Sequence, residues 1–347
     1  MIRIIVSLFT AAITVISFFG CASNPPLIQA SYDGNVALVQ ELLKNGADVN
    51  MKGGSWDETA INAAARQGNF DTVKKLLDAG ADVNLPTKYG GTPLTGATWK
   101  CHRDVAMLLI SNGANVNVQN KSYGSTPLML AVECNDPKMV EFLVNNGADV
   151  NIKNNAGMTA LIPAVWKNNL KIVEILVHGG VDIDSSGNNS EPALYEAAYK
   201  GFDSVVVVLI EKGANINLRS RHNGWTPLMI ASAEDKASTV ELLLNAGADP
   251  NIANNHGRTP LMFSSKYGLV GIVDNLLRHG ADPNVIPKDD SSATALIAAA
   301  AEGHQEVVKL LLRFGADSTI KDSKGMTAQM WADKQHHTEI VDLLKQN

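Results

Sequence analysis

The chain has 347 residues and a formal net charge of −6, with 45 % hydrophobic and only 5 % aromatic residues. This hydrophobic fraction is enough to bury a continuous core, and the low aromatic content is typical of closely stacked helices packed through Ala, Leu and Val. A mildly acidic protein has no general attraction for nucleic acid or anionic lipid, so we expect no nucleic-acid binding.

The N-terminal segment differs from the rest of the chain. Arg3 is its only charged residue, and an apolar run from Ile4 to Phe19 leads to the sequence Gly-Cys-Ala-Ser at residues 20–23. A positive start, a short hydrophobic run and a small-residue site are typical of a secretory signal peptide. The run is also shorter than the roughly 20 residues that span a bilayer as a helix. We therefore predict a signal peptide at residues 1–20.

The end of this segment, Phe-Phe-Gly-Cys at residues 18–21, resembles a bacterial lipobox, although Phe18 stands where that motif usually has Leu or another aliphatic residue. The resemblance implies lipidation of Cys21, and Ala22 implies sorting to the outer membrane. An ordinary secretory signal cut near Ala22 and an uncleaved anchor remain as alternatives. We expect an exported protein, lipid-anchored at the bacterial envelope on the periplasmic or surface face of the outer membrane.

Beyond this segment, one pentapeptide returns about every 33 residues. It first reads Gly-Ala-Asp-Val-Asn at residues 46–50, and later copies, whole or lightly edited, begin at Gly80, Gly113, Gly147, Gly180, Gly213, Gly247, Gly280 and Gly315. A fixed period of this length is the signature of a stacked repeat array, in which each unit buries its apolar face against its neighbours.

A second landmark, Thr-Pro-Leu-x-x-Ala or a relative, lies upstream of each pentapeptide, as at residues 92–97 and 126–131. Thr is a good helix N-cap and Pro suits the first helical position, so this landmark predicts the start of a first helix. Four residues after the Ala comes a residue that tolerates positive φ, as a turn between antiparallel helices requires. Only Cys101 departs from that rule. A second amphipathic helix follows, as at residues 70–77.

The period and the two landmarks together resemble the ankyrin repeat over essentially all of residues 24–347. The resemblance implies an all-α fold, an ankyrin-repeat solenoid of stacked helix–turn–helix units with β-turn or hairpin fingers. We predict one domain of about ten repeats, with units near 24–50, 51–84, 85–117, 118–151, 152–184, 185–217, 218–251, 252–284, 285–319 and 320–347.

The sequence contains no residue pattern that requires a catalytic explanation. No metalloprotease, nucleophile-elbow, P-loop or dinucleotide motif stands in its required context. The resemblance places His102, His304 and His337 in the turn before the second helix, where ankyrin repeats commonly have a structural His. We therefore expect no enzyme, no cofactor and no metal site.

Cys101 and Cys134 fall in adjacent predicted repeats, near the same helix–helix turn. Two such thiols could pair in an oxidising compartment. However, equivalent atoms of neighbouring repeats should lie around 10 Å apart, beyond the usual limit of about 7 Å between the Cα atoms of a disulfide. The spacing therefore argues against a disulfide.

Repeat arrays bind partners on the side formed by the fingers and the exposed face of the first helices. Most Trp and Tyr residues fall on these positions, whereas Tyr195 and Trp331 are expected in first-helix interiors. A narrow stack excludes large rings, which explains their exposure but not why these positions are aromatic rather than polar. Our candidate partner-binding residues are Trp56, Arg66, Tyr89, Trp99, Lys100, Tyr123, Trp166, Lys167, Tyr199, Lys200, Trp225 and Tyr267.

We expect a monomeric array that is anchored only through its lipid, and two functions remain open for it. The first is a non-catalytic protein-interaction module, a scaffold or an inhibitor or immunity-type binder, whose contacts are spread over many repeats. The second is a glycan- or peptidoglycan-binding envelope protein, which requires two or three aromatic residues around one cleft with carboxylates or amides nearby. The sequence does not identify the partner.

Overall fold

The computed structural model describes residues 24–288 and 292–346. The predicted signal peptide and its lipidation site, Cys21, lie outside these residues. Within them the chain forms twenty α-helices in ten consecutive pairs, and the only bridge between β-type segments joins Gly53 and Glu58. The predicted all-α fold of stacked helix–turn–helix units is confirmed. No helix in this part of the chain is long and apolar enough to cross a bilayer.

The first helix of each pair is six to eight residues long. These helices are α1 (Pro26–Tyr32), α3 (Ala60–Gln67), α5 (Pro93–Trp99), α7 (Pro127–Glu133), α9 (Leu161–Trp166), α11 (Ala193–Lys200), α13 (Pro227–Ala233), α15 (Pro260–Lys266), α17 (Ala295–Glu302) and α19 (Ala328–Lys334). The second helices are α2 (Val36–Lys44), α4 (Phe70–Asp78), α6 (Arg103–Ser111), α8 (Pro137–Asn145), α10 (Leu170–His178), α12 (Asp203–Glu211), α14 (Ala237–Asn245), α16 (Val270–Arg278), α18 (Gln305–Arg313) and α20 (Thr338–Lys345).

The helices divide into two compact units, and the boundary in the chain falls between Ser122 and Tyr123. The first unit contains α1 to α6 and the second contains α7 to α20. Within each unit, first helices pack against neighbouring first helices, and second helices against neighbouring second helices. The prediction of a single domain of about ten repeats, with the boundaries given above, stays a prediction.

The Thr residue of the Thr-Pro-Leu-x-x-Ala landmark caps the first helix, as its chemistry predicts. The Thr side chain accepts the backbone N–H three residues later at six positions: Thr59, Thr92, Thr126, Thr226, Thr294 and Thr327. The Leu and Ala of the same landmark form the core, and Leu94, Ala97, Leu128 and Ala131 are at most 1 % exposed. One short sequence therefore both starts the helix and packs it.

The turn between the two helices of a pair has a residue of positive φ. Gly fills this position where the sequence has it, and Asn135, Asn168, Asp235 and His336 also adopt φ between 51° and 63°. Cys101 does so as well, at 63°. The turn geometry therefore holds even at the one position whose residue type did not predict it.

The Asn that ends the pentapeptide connects one repeat to the next. Asn84 accepts the backbone N–H of Asn115 at 2.7 Å and donates from Nδ2 to the carbonyl of Gly113 at 3.1 Å. In the second unit, Asn284 makes the same two bonds to Asp317 and Gly315, at 2.7 and 2.9 Å. The pentapeptide therefore links neighbouring repeats in addition to ending a helix.

The expectation against oxidised cysteines is wrong, because Cys101 and Cys134 are both disulfide-bonded. That expectation took the spacing of helix axes as the spacing of the turns. Within each unit, side chains of neighbouring turns come much closer than 10 Å. Asn169 Nδ2 donates to Asn135 Oδ1 at 2.7 Å, and Asn69 Nδ2 donates to the Ser31 carbonyl at 2.9 Å.

Candidate functional site

The candidate residues divide between the two units. Trp56, Arg66, Tyr89, Trp99 and Lys100 belong to the first unit. The second unit contains Tyr123, Trp166, Lys167, Tyr199, Lys200, Trp225 and Tyr267. Most of the aromatic side chains are exposed, from 37 % for Tyr199 to 74 % for Tyr123. Their environments nevertheless differ. Some lie on fingers, some lie at the ends of first helices, and some already pair or pack with other side chains of the protein.

Three candidate aromatic residues, Trp56, Tyr89 and Tyr123, lie at the same position of successive fingers. The carbonyl of Trp56 accepts the backbone N–H of Lys88 at 3.1 Å, and that of Tyr89 accepts the N–H of Lys121 at 2.9 Å. In the second unit, the carbonyl of Tyr123 accepts the N–H of Asn155 at 2.9 Å. Their backbones therefore join neighbouring fingers, while their rings remain exposed.

Arg66 is not a free cation. Its guanidinium Nη2 lies 3.1 Å from both carboxylate oxygens of Glu58, which is only 5 % exposed. The Arg66 Cζ also lies 5.0 Å from the centre of the Trp56 ring and 5.4 Å from that of Tyr32. Arg66 therefore neutralises a buried carboxylate and stacks between two aromatic rings.

Tyr89 extends this aromatic cluster along the first unit. The Trp56 and Tyr89 rings meet edge to face, with centroids 6.3 Å apart and planes at 87°. Lys88 Nζ lies 4.9 Å from the Tyr89 ring centre. Edge-to-face aromatic pairs and cations over rings are each favourable. Tyr32, Trp56, Arg66 and Tyr89 therefore form one set of contacting side chains in the first unit, which we call the first-unit aromatic cluster.

At the ends of several first helices an exposed aromatic residue is followed directly by Lys. Lys100 Nζ lies 4.2 Å from the Trp99 ring centre, and Lys200 Nζ lies 4.8 Å from that of Tyr199. Each pair places a cation and a ring on the same patch of surface. Such a patch suits a partner that offers both carboxylates and apolar groups.

Lys167 differs from the other helix-end lysines. Its Nζ lies 3.1 Å from Glu133 Oε2, so its charge is partly neutralised. Trp166, immediately before it, remains 44 % exposed. Glu133, which interrupts the aromatic positions in sequence, therefore also reduces the positive charge of the next repeat.

Trp225 is the least available of the candidate rings. It is half-buried and packs on Phe263, with ring centroids 4.4 Å apart and planes at 41°. Tyr267 is 54 % exposed and lies next to Lys266, whose Nζ is 6.0 Å from the ring centre. The structure thus brings Trp225 into a packing role and leaves Tyr267 on the surface.

The sequence interpretation missed one surface feature. Trp331, expected in a helix interior, is half-buried and lines a groove of about 370 Å³ together with Phe263, Met262, Ile297 and Lys324. Phe263 and Trp331 occupy the same position in their repeats, two residues after the landmark Leu or its counterpart. A comparison of the residues at this position in all repeats could therefore have indicated the groove. Tyr195 lies one position earlier and is also half-buried.

Tyr195 lies in an acidic environment. Burial, and then the charges of Glu191, Glu196 and Glu234, raise the pKa of its phenol far above the ordinary value. Ser220 Oγ donates to Glu191 Oε1 at 2.8 Å beside it. Tyr195 is therefore a protonated, structural side chain at neutral pH and not a general base.

Two of the three histidines predicted to be structural, His304 and His337, make the expected kind of contact. His304 Nε2 lies 2.9 Å from the carbonyl of Lys266, and His337 Nε2 lies 3.2 Å from that of Ala301. Each bond joins one turn to the preceding repeat. Among the described residues, no group of three or more His, Cys, Asp or Glu side chains could hold a metal ion.

Comparison with protein families gives a match over most of the chain. Residues 27–120, 108–187, 194–287 and 284–347 match the family model described as Ankyrin repeats (3 copies). Between residues 27 and 347, these matches leave out only 188–193. No curated protein matches the chain in sequence.

Proposed function

Because this chain belongs to the ankyrin-repeat family, whose members generally mediate protein–protein interaction and are typically not catalytic, we propose that it is a protein-interaction module at the cell envelope. It acts as a scaffold, or as an inhibitor or immunity-type factor that covers another protein. Its contacts come from exposed rings and lysines on the first-helix ends and fingers.

The exposure of ring residues at one repeated position carries this proposal. Trp99, Trp166 and Tyr199 are 52 %, 44 % and 37 % exposed, although each lies in the last turn of a first helix whose other residues are largely buried. Trp and Tyr are enriched at the centres of protein interfaces because they bury much area with few rotatable bonds. Exposed rings that recur on several repeats therefore favour an extended protein partner.

The proposal is tested by the triple variant Trp99→Ala, Trp166→Ala and Tyr199→Ala, with Phe70→Ala as the matched control. Phe70 is 41 % exposed but lies at the start of a second helix. Affinity capture from envelope extract with quantitative mass spectrometry should show partners that the wild type and the control retain and the triple variant loses. Equal yields from all three proteins would reject the proposal.

A glycan-binding function is the second candidate, and the first-unit aromatic cluster favours it. Trp56 and Tyr89 meet edge to face, and the Arg66 guanidinium lies over both the Trp56 and the Tyr32 rings. Stacking of Trp and Tyr on sugar rings is the chemistry that this function needs. Binding of soluble peptidoglycan fragments that Trp56→Ala abolishes and Trp166→Ala leaves unchanged would favour this candidate over a protein partner.

We propose further that the protein is exported and anchored through a lipid on Cys21. The signal-like segment at residues 1–20 and the sequence around Cys21 support this localisation. The oxidised state of Cys101 and Cys134 also supports it, because disulfides persist in oxidising compartments and are rare in the cytosol. Cys21→Ala should release the protein from the membrane fraction, and retention of this variant at the membrane would remove the lipid anchor from the proposal.

A further inference from the structure

The groove near the end of the second unit is a separate surface feature from the candidate residues. It has a volume of about 370 Å³ and lies along the first helices α15, α17 and α19 and the fingers that precede them. This volume falls at the lower end of the range typical of binding clefts. None of the twelve candidate residues lines it, although Tyr267 follows the lining residue Lys266.

The floor of the groove is apolar and well packed. Met262, Phe263 and Ile297 are at most 9 % exposed and belong to packed helices. Ala298 lies beside Ile297 on α17 and also lines the groove. Small and large apolar residues on neighbouring helices thus leave a depression into which a further apolar side chain fits.

The Trp331 ring forms one wall and is held in a fixed orientation. Its Nε1 donates to Asp322 Oδ2 at 2.7 Å. The other carboxylate oxygen of Asp322 accepts the backbone N–H groups of Lys324 and Met326, both at 2.8 Å. The Asp322 carboxylate is therefore occupied by internal donors, and Trp331 needs no rearrangement before a ligand contacts its ring.

The rim of the groove is positive. Lys266 and Lys324 are exposed, and neither lies within ion-pair distance of a carboxylate among the described residues. Lys334 adds a third cation, with its Nζ 4.9 Å from the Trp331 ring centre. Glu302 is the opposing exposed carboxylate of the lining. A positive rim on a chain of net charge −6 favours an acidic ligand locally.

We propose that this groove docks a short acidic peptide segment that inserts one aromatic side chain against Phe263 and Trp331. The proposal rests on the proposed function in taking the ligand to be part of a protein. Charge complementarity selects the acidic segment, and the apolar floor selects the inserted ring. Lys266 lines the groove and Tyr267, the next residue, is one of the exposed candidate rings, so one partner can contact the groove and this ring.

The test uses the full chain and three fluorescein-labelled synthetic peptides of six residues. The first has four acidic residues around a central Phe and a flanking Gly, the second replaces Phe by Ala, and the third replaces the acidic residues by Lys. Fluorescence anisotropy should show binding of the first peptide, with at least tenfold weaker binding of the other two. Raising the salt concentration should weaken the binding of the first peptide, because the rim charges are exposed.

Variants then locate the binding. Ala298→Trp fills the groove from an already half-buried position and should abolish binding of the acidic Phe peptide. Lys324→Glu should weaken it by about fivefold, since a reversed rim charge changes an exposed interaction. The matched control is Lys321→Glu, which changes the same charge at an exposed residue of the same finger outside the groove. It should leave the affinity unchanged.

Several results would overturn the inference. The wild type could fail to bind the acidic Phe peptide, could bind the Lys peptide equally well, or could bind through a site that Ala298→Trp does not affect. A melting temperature for each variant separates groove filling from unfolding. Because synthetic peptides replace the partner, these results do not depend on the capture experiment with Trp99, Trp166 and Tyr199, so either proposal can fail while the other stands.

Discussion

The side chain of Asn251 accepts the backbone N–H of Asp282, 31 residues further along the chain, at 2.8 Å. Its Nδ2 also donates to the carbonyl of Gly280 at 2.9 Å. One amide side chain thus satisfies a donor and an acceptor at the end of the next second helix. The bond pattern recurs at Asn84 and Asn284, so it is a property of the repeat and not of one site.

Asn251→Ala should therefore lower the free energy of unfolding by about 1 kcal/mol, because two hydrogen bonds between repeats are lost while water reaches the exposed groups. Urea denaturation followed by circular dichroism measures this change. Asn245→Ala is the matched control, an exposed position in the same predicted repeat, and should change stability by less than about 0.5 kcal/mol. Equal effects of the two substitutions would contradict the linking role of Asn251.

Gly303 should tolerate Ala less well than Gly315, although both have nearly the same backbone conformation. Their φ angles are 82° and 84°, so Ala costs about 1–2 kcal/mol of conformational strain at either position. A Cβ on Gly303 would also lie 2.7 Å from His337 Cε1, whereas nothing lies within 4 Å of a Cβ on Gly315. Thermal denaturation should therefore show a larger loss of stability for Gly303→Ala.

The double variant Gly303→Ala, His337→Ala separates the two causes. Removing the imidazole removes the collision but leaves the backbone strain. The second substitution should therefore cost less in the Gly303→Ala background than in the wild type. Additive effects would show that the collision with His337 contributes nothing.

Arg66→Ala should destabilise the first unit by about 3 kcal/mol, because it leaves the buried carboxylate of Glu58 without its partner. The double variant Glu58→Gln, Arg66→Met removes both charges and should be less destabilised than Arg66→Ala. Thermal denaturation of the single and double variants measures this difference. If Arg66→Ala retains full stability but loses a captured partner, Arg66 acts in binding and not in the structure.

Asp322→Asn should lose stability in a pH-dependent way. Burial tends to raise the pKa of Asp322, but hydrogen bonds from Met326, Trp331 and Lys324 and the Lys324 charge outweigh it and hold the pKa below its ordinary value of 3.8. A carboxylate with a lowered pKa contributes stability above the unfolded pKa and loses it as the pH falls through the folded pKa. The stability difference between wild type and variant should therefore be constant from pH 5 to 8, at about 1 kcal/mol or more, and should shrink below pH 4.

Urea titrations at pH 7 and pH 3 test this dependence. The Asn variant retains an acceptor but cannot accept on both sides of the group, so Trp331 Nε1–H loses its partner. A difference that is the same at both pH values would show that the ionised carboxylate is not the source of the stability.

Much of the fold followed from local chemistry that repeats. The Thr caps, the positive-φ turns and the buried Leu and Ala positions were all predicted from the two landmarks, because each depends on residues a few positions apart. The structural histidines were instead predicted from the resemblance to the ankyrin repeat, and His304 and His337 make the expected bonds. The oxidation of Cys101 and Cys134 was not, because it depends on distances between turns that helix spacing does not fix.

The candidate surface was predicted less completely. The register identified most of the exposed rings, as at Trp99 and Tyr267, because the position of a residue in the repeat determines its side of the helix. It did not reveal that Arg66 pairs with Glu58, that Lys167 pairs with Glu133, or that Trp225 packs on Phe263. These contacts join different repeats or different elements, and side-chain direction decides them.

The sequence by itself determined the family, the helix pairs and the exposed aromatic positions of this protein, because a repeated unit must place the same residue in the same environment each time. The tertiary structure decided which of those exposed groups are available. It showed the engaged charges of Arg66 and Lys167, and it showed the groove at Trp331, which forms only where three neighbouring first helices meet. Availability depends on what neighbouring repeats place against a side chain, and that is a property of packing rather than of the repeat pattern.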